Sequence, residues 1–291
     1  MQAKVKMPKS APTLRHSSGA SKPAFSGHLH LEAVLRGGRT ILARQSFRAP
    51  FHIGKSYWDG CVLQVRVINA TAGILSGDRL ELDIQAASGA SLLVATPAAT
   101  RAFVMEKGAA GCTQHFAVGP GAWLEYSPEP LFPHRATNFV QETRIDVADG
   151  GELFFADTLA PGRAGSGEIW AWKRLQITLE VASGGEVILR ERLDSSGPDL
   201  GRLALFHGMP EAWFATLVAI SPRLESADPF GARVRALHTG RCRVGVTRLR
   251  ANAWVVRVIA PGSQSLRDTL GEIRAVLAGR LPALQSDLRR L

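Results

Sequence analysis

Between residues 80 and 190 an alternation of apolar and polar residues, broken at glycine, occurs four times. Leu80-Glu81-Leu82-Asp83-Ile84 turns at Gly89-Ala90 into Leu92-Leu93-Val94, and His115-Phe116-Ala117-Val118 turns at Gly121-Ala122 into Trp123-Leu124-Glu125-Tyr126. Thr143-Arg144-Ile145-Asp146-Val147 turns at Gly150-Gly151 into Leu153-Phe154-Phe155, and Ile177-Thr178-Leu179-Glu180-Val181 turns at Gly184-Gly185 into Val187-Ile188-Leu189. The turn glycines Gly89, Gly121, Gly150 and Gly184 lie 32, 29 and 34 positions apart. A period of two predicts strands with one inward face, and glycine supplies the backbone freedom of the turns. A spacing near thirty is that of β-units which bury their apolar faces only by stacking. The pattern predicts a mostly β protein, a stacked β-helix-like or β-sandwich scaffold with a few helices.

The flanks follow the same logic. Leu29 to Ile41, with Arg36-Gly37-Gly38, predicts a hairpin, and Val62 to Ile68 a strand, while residues 47–60 read as irregular. From about residue 198 the chain becomes mixed α/β. Ala232 to Leu237 reads as a short helix, and Cys242–Thr247 with Ala253–Ile259 as a strand pair. Leu266, Leu270, Ile273, Val276-Leu277 and Leu281 recur at helical steps. They predict a C-terminal amphipathic helix, with Ser263 or Ser265 as N-cap and Pro282 as its end. The division is a flexible basic tail at 1–27 and one β-rich domain at 28–291. Its repeat region is about 80–190 and its mixed part about 198–291.

Composition narrows the class. An apolar fraction of 45% with 29 glycines and 16 prolines fits a turn-rich core protein, not a disordered one. No apolar run is long enough to span a bilayer. Cys61, Cys112 and Cys242 are far apart and odd in number, which argues against a disulfide framework and for a reduced, cytoplasmic setting. Lys4, Lys6, Lys9, Arg15 and Lys22 supply half of the +10 net charge, in a segment with no apolar signal core. A second basic cluster, Arg233, Arg235, Arg241, Arg243, Arg248 and Arg250, alternates with Val244 and Val246 as a solvated strand face does. It lacks the interleaved aromatics of a nucleic-acid surface, and suits an acidic protein partner instead.

Candidate chemistry is sparse. GxSxG, HExxH, GxxxxGK[ST] and GxGxxG are all absent, and Gly162-Arg163-Ala164-Gly165-Ser166-Gly167 has no phosphate-cradling lysine. His28-x-His30 shares one strand face, yet has no third metal ligand nearby in sequence. The acids at strand ends are more informative. Asp78 follows Gly77, Glu129 sits between two prolines, and Glu168 closes the glycine loop. Asp157 interrupts the apolar run Leu153-Phe154-Phe155-Ala156, where a charge is costly unless paired or wet. Acids at matching ends of stacked units suit transient binding of a divalent cation; local pairing with Arg79, Arg101 and Arg163 is the structural alternative.

Four stretches in order carry a resemblance. Gly73-Ile74-Leu75-Ser76-Gly77-Asp78-Arg79-Leu80, Thr96-Pro97-Ala98-Ala99-Thr100-Arg101, Leu124-Glu125-Tyr126-Ser127-Pro128-Glu129-Pro130 and Gly162-Arg163 through Gly167-Glu168 are similar to the signature stretches of the urease accessory protein UreD (UreH) family. The likeness runs from about residue 29 to 195 and is weak beyond. It implies a β-helical scaffold that is not an enzyme and holds no permanent cofactor. Such a protein binds apo-urease with UreF and UreG and assists nickel insertion, nickel passing transiently along an internal path. Asp78, Asp157 and Glu168 match the family's acidic positions. The family's usual His-Pro-Pro-Gly-Gly run is here Asn69-Ala70-Thr71-Ala72-Gly73, and Arg101 stands where a lysine is common. Two other readings of the same acids and charge remain: a carbohydrate-active β-helix with an acid/base pair, and a basic nucleic-acid-binding module.

Overall fold

The computed structural model of the chain describes residues 25–224, 229–250 and 252–286. All but the last three residues of the predicted basic tail lie outside them. The described chain opens with a hairpin of β1 (Ser26–Arg36) and β2 (Arg39–Arg48), so the first strand takes in the last two residues of the predicted tail. The stretch expected to be irregular carries two short strands, β3 (Phe51–Ile53) and β4 (Tyr57–Asp59), both antiparallel to β5 (Val62–Asn69). Then come the repeats: β6 (Arg79–Ala86) and β7 (Ser91–Ala95), a short β8 (Thr100–Ala102), and β9 (Ala110–Val118) with β10 (Trp123–Ser127). A short β11 (Leu131–Pro133) precedes β12 (Asn138–Val147) and β13 (Glu152–Leu159). The small hairpin β14 (Gly162–Arg163) and β15 (Glu168–Ile169) leads to β16 (Arg174–Ser183) and β17 (Glu186–Ser195).

The two strands of a repeat do not pair with each other. β6, β9 and β12 lie side by side and parallel in one sheet, while β7, β10 and β13 do the same in a second. The chain crosses between sheets at a four-residue turn closed by Ala90 N–H to Ala87 C=O, Ala122 N–H to Gly119 C=O, or Gly151 N–H to Ala148 C=O. Gly89, Gly121 and Gly150 hold φ of +72°, +62° and +75°, the third position of a type II-like turn. Successive corners are bonded as well: Gly89 N–H donates to Pro120 C=O and Gly121 N–H to Gly150 C=O. Rungs therefore stack in register. Leu31, Ile84, Phe116, Ile145 and Val181 form one buried row across five strands.

The fourth repeat breaks this rule. β16 and β17 form an antiparallel hairpin within the first sheet, as β1 and β2 do at the opposite edge. The reason is local. Gly184 and Gly185 both have positive φ (+58°, +85°), as do Gly37 and Gly38 (+57°, +76°), the requirement of a two-residue type I′ hairpin. Gly150-Gly151 has the same letters but only the first glycine is left-handed, so it turns a corner instead.

The C-terminal part continues the second sheet. α1 (Gly197–Phe206) leads to β18 (Trp213–Ile220), antiparallel to β13, followed by α2 (Phe230–Arg235), β19 (Arg243–Arg248), β20 (Ala253–Ala260) and α3 (Ser263–Ala278). The second sheet thus buries both faces: Leu153 and Phe155 face the first sheet, while Phe154 and Ala156 face α2 and α3. α3 contributes Leu266, Ile273 and Leu277, the predicted stripe. Its N-cap is Gly262, not a serine; Ser263 is already the first helical residue, and the helix ends at Ala278, ahead of Pro282. No helix among the described residues is long and apolar enough to cross a membrane.

Gly121→Ala isolates the corner's requirement, because nothing lies within 4 Å of the added methyl. We expect a loss of about 1–2 kcal/mol from left-handed strain alone, read by urea unfolding, and a smaller loss for Gly121→Asn.

Candidate functional site

The four distinctive stretches converge on a third side of the stack. Ile74 bridges in parallel to Ala102, β8 runs parallel to β11, and Leu131 of β11 pairs with Leu159 of β13. Ile74 N–H donates to Arg101 C=O (2.7 Å) and Glu129 N–H to the Thr96 hydroxyl (2.8 Å). The loops between rungs are thus a ladder of their own, away from the glycine corners.

Behind this ladder, between the two sheets, lies a cavity of about 80 Å³, several times the roughly 10–15 Å³ that one water needs. Its polar lining comes from Cys112, Gln114, Tyr126, Glu129, Gln141 and Asp157. Strand register sets this up: Cys112 is opposite Gln141, and Gln114 opposite Thr143, on neighbouring inward-facing strands. Gln114 accepts from the Thr143 hydroxyl at 3.0 Å, and Gln141 Nε2 donates to Asp157 Oδ2 at 2.9 Å. Asp157 shares the inward face of β13 with Leu153 and Phe155. It lies deep in the protein, and the surface it keeps faces the cavity. Burial pushes its carboxyl up to about 6, against the hydrogen bonds from Gln141 and from Thr158 N–H. Burial also pushes the Cys112 thiol up to about 12, and the Asp157 charge adds to that. A thiol so raised is protonated at neutral pH in the metal-free protein.

The other two predicted acids lie elsewhere. Asp78 is buried in its own loop, its Oδ2 accepting Leu75 N–H at 2.8 Å while its N–H returns to Leu75 C=O. Burial raises its carboxyl, opposed by that bond and by Arg79. Glu168 sits on the outer hairpin and accepts from Arg163 Nε at 3.1 Å and from Arg135 N–H at 3.5 Å. The Arg163 bond draws its carboxyl below the usual range. Neither lines the cavity; Glu129 does. Among the described residues no three His, Cys, Asp or Glu side chains gather so as to hold a metal ion.

One buried acid goes unselected by the sequence reading. Glu125 interrupts Trp123-Leu124-Glu125-Tyr126 as Asp157 interrupts its own run, but it faces the opposite side of the second sheet. It is fully buried, and Arg274 of α3 grips both its oxygens while also donating to Ser286 C=O (3.2 Å). Ser127 donates to the same carboxylate at 3.0 Å. The pair fastens the terminal helix to the stack.

His28-x-His30 resolves into surface pairing. His30 Nδ1 meets Asp83 at 3.0 Å, and His115 bridges Asp83 (3.3 Å) and Asp146 (3.1 Å), with Arg144 on Asp146 in turn. These side chains cross the outer face of the first sheet from rung to rung. The Asp146 and Asp83 hydrogen bonds raise His115 to about 9 from 6.5.

Similarity to known proteins agrees with this arrangement. A family model described as UreD urease accessory protein matches residues 26–291, well past the stretch where the four motifs lie. A protein named urease accessory protein UreD from Opitutus terrae is 48% identical over 271 residues, covering 92% of this chain and 99% of that one. Proteins of the same name from Alkalilimnicola ehrlichii and Acetivibrio thermocellus are 29% and 25% identical, over 87% and 86% of the chain and 86% and 96% of their own lengths.

Two outcomes test the electrostatics. Arg274→Met leaves Glu125 buried without its cation and should cost about 3–5 kcal/mol in urea unfolding, with Glu125→Gln recovering much of it in the double variant. His115 is held above its free value, so its stabilising contribution is complete below about pH 6.5 and is lost as pH rises through about 9. The stability difference between wild type and His115→Gln should therefore shrink over that window, modestly, because the ring is partly solvated.

Proposed function

The chain belongs to the UreD family of urease accessory proteins, and from that premise we propose that it is a cytoplasmic scaffold which binds apo-urease together with UreF and UreG and assists nickel insertion into the urease metallocentre. Urease maturation is the role its relatives' names carry. In this reading the protein is not an enzyme and keeps no resident cofactor; nickel is cargo.

The observation that supports the nickel step is the cavity bordered by the signature loops, in which Asp157 is set among a lining that is otherwise largely apolar. Asp157 accepts from Gln141 Nε2 and from Thr158 N–H and is left with acceptor capacity on the cavity side. Glu129 stands at the same cavity, and the other polar groups are amides, threonine hydroxyls, a phenol and the Cys112 thiol. Such a set offers a hydrated divalent cation a few oxygen contacts and no closed cage, which suits passage better than storage. Asp157 carries the contact within the cavity. Asp78 and Glu168 belong to the same path through the loops they fix at its margins, at Leu75 and at Arg163.

A saccharide-cleaving reading needs an open aromatic-lined groove, whereas Asp157 faces an interior space between sheets. Of the C-terminal basic cluster, Arg233 and Arg235 lie on α2 and Arg243 and Arg248 on the edge strand β19, with Val244 turned inward, as an exposed strand edge requires.

Asp157→Asn separates this role from folding. Removing a carboxylate that burial disfavours should raise stability above pH 7, on the order of 2 kcal/mol. Co-produced with urease subunits and the other accessory proteins, the variant should still enter the complex yet lower urease nickel content and activity at least tenfold. Normal activation by a folded, complexed Asp157→Asn, Glu129→Gln double variant would remove the cavity from the mechanism.

A further inference from the structure

We propose that the solvent-facing end of α1 is a docking surface for a partner protein bearing apolar side chains ringed by carboxylates. α1 begins at Ser196, whose hydroxyl caps Asp199 N–H, and is seated by Leu200 and Ala204. Gly201 lies so close to Trp170 that an added Cβ would be 2.8 Å from the indole. The helix is thus rigidly held on one side. A helix lying on a water-exposed surface carries polar residues on the other side. Here that side carries Leu203, Leu205 and Phe206 at 45%, 65% and 84% exposure, Phe206 being the most exposed large apolar side chain among the described residues. Leu203 and Phe206 stand three apart and share one ridge.

The charge around the helix names the occupant. Asp194, two residues before the cap, is shared by Arg174 (2.8 Å) and Arg192 (2.7 Å). Glu168, on the hairpin leading to Trp170, is shared by Arg163 and Arg135. Gly197 N–H bonds Trp172 C=O, which sets Lys173 beside the same helix start. On α1 itself Asp199 is matched one to one by Arg202, while each of the other two acids faces two arginines, so positive charge is left over beside the N-terminal half of α1. A carboxylate-rimmed partner meets that surplus with opposite charge, while a second copy of this chain, docked symmetrically, would bring like charges together. The surface does not touch the cavity, and it rests on the accessory reading only for where to look for the partner.

The test uses the whole chain co-produced with urease subunits and the other accessory proteins. Leu205→Asp with Phe206→Asp lies on exposed side chains and should leave the melting temperature within about 2 °C of wild type. It should weaken retention of one partner at least tenfold and lower urease activation, and Arg202→Glu should weaken it less. Wild-type retention should fall between 0.1 and 0.5 M salt. Equal partner retention by the folded Asp double variant overturns the assignment. So does a wild-type chain that is dimeric alone and becomes monomeric in the variant, which would make the occupant a second copy. A wild type that retains none of the urease components overturns the accessory reading and this one together; loss confined to the variant upholds both.

Discussion

Everything in the stack depends on a corner that one residue per rung must turn in the left-handed region. Gly89, Gly121 and Gly150 each take the chain out of the first sheet and into the second after a fixed number of residues. Because each corner bonds to the next, the strands on both sides are locked in register. A slip of one residue would turn every inward side chain outward. Register in turn decides which polar groups meet inside, placing Cys112 by Gln141 and Gln114 by Thr143.

The interior contains a conflict that an ordinary core would not tolerate. Apolar rows such as Leu31, Ile84, Phe116, Ile145 and Val181 occupy the rungs near the corners. Toward the loops the same strand faces carry an amide, a hydroxyl, a thiol and a carboxyl. Each buried polar group costs free energy unless bonded, and Asp157 has one side-chain donor where a structural carboxylate would collect several. Glu125 shows the contrast. It is more deeply enclosed, yet both its oxygens are taken by Arg274 and one by Ser127 as well, so it serves attachment. The two acids sit on neighbouring strands of one sheet and face opposite ways, one toward a helix and one toward space.

Much of this was legible from residue order. The alternation marked the long strands from Leu29 to Val181, and Asp157 stood out as a charge within an apolar run. Three things were not. Gly150-Gly151 and Gly184-Gly185 are identical in letters, and only the φ of the second glycine separates a corner from a hairpin. Glu125 carried the same signal as Asp157, but its partner is 149 residues away, beyond the reach of local pattern. The grouping of Glu129 rather than Asp78 or Glu168 with Asp157 depends on how loops from three rungs lie over one another, which spacing does not encode.

The paired glycines at Gly37-Gly38 and Gly184-Gly185 have a consequence for size. Both outer strands of the first sheet run against the parallel set, so neither end offers a surface on which another rung could be laid in the same sense. Arg39, Arg44 and Arg48 on β2 and Arg190 and Arg192 on β17 discourage strand addition there as well. The coil count is therefore closed at both ends. With neighbouring strands about 4.8 Å apart, the inside of the protein has a set depth and a set pitch, a ruler whose graduations are the rungs.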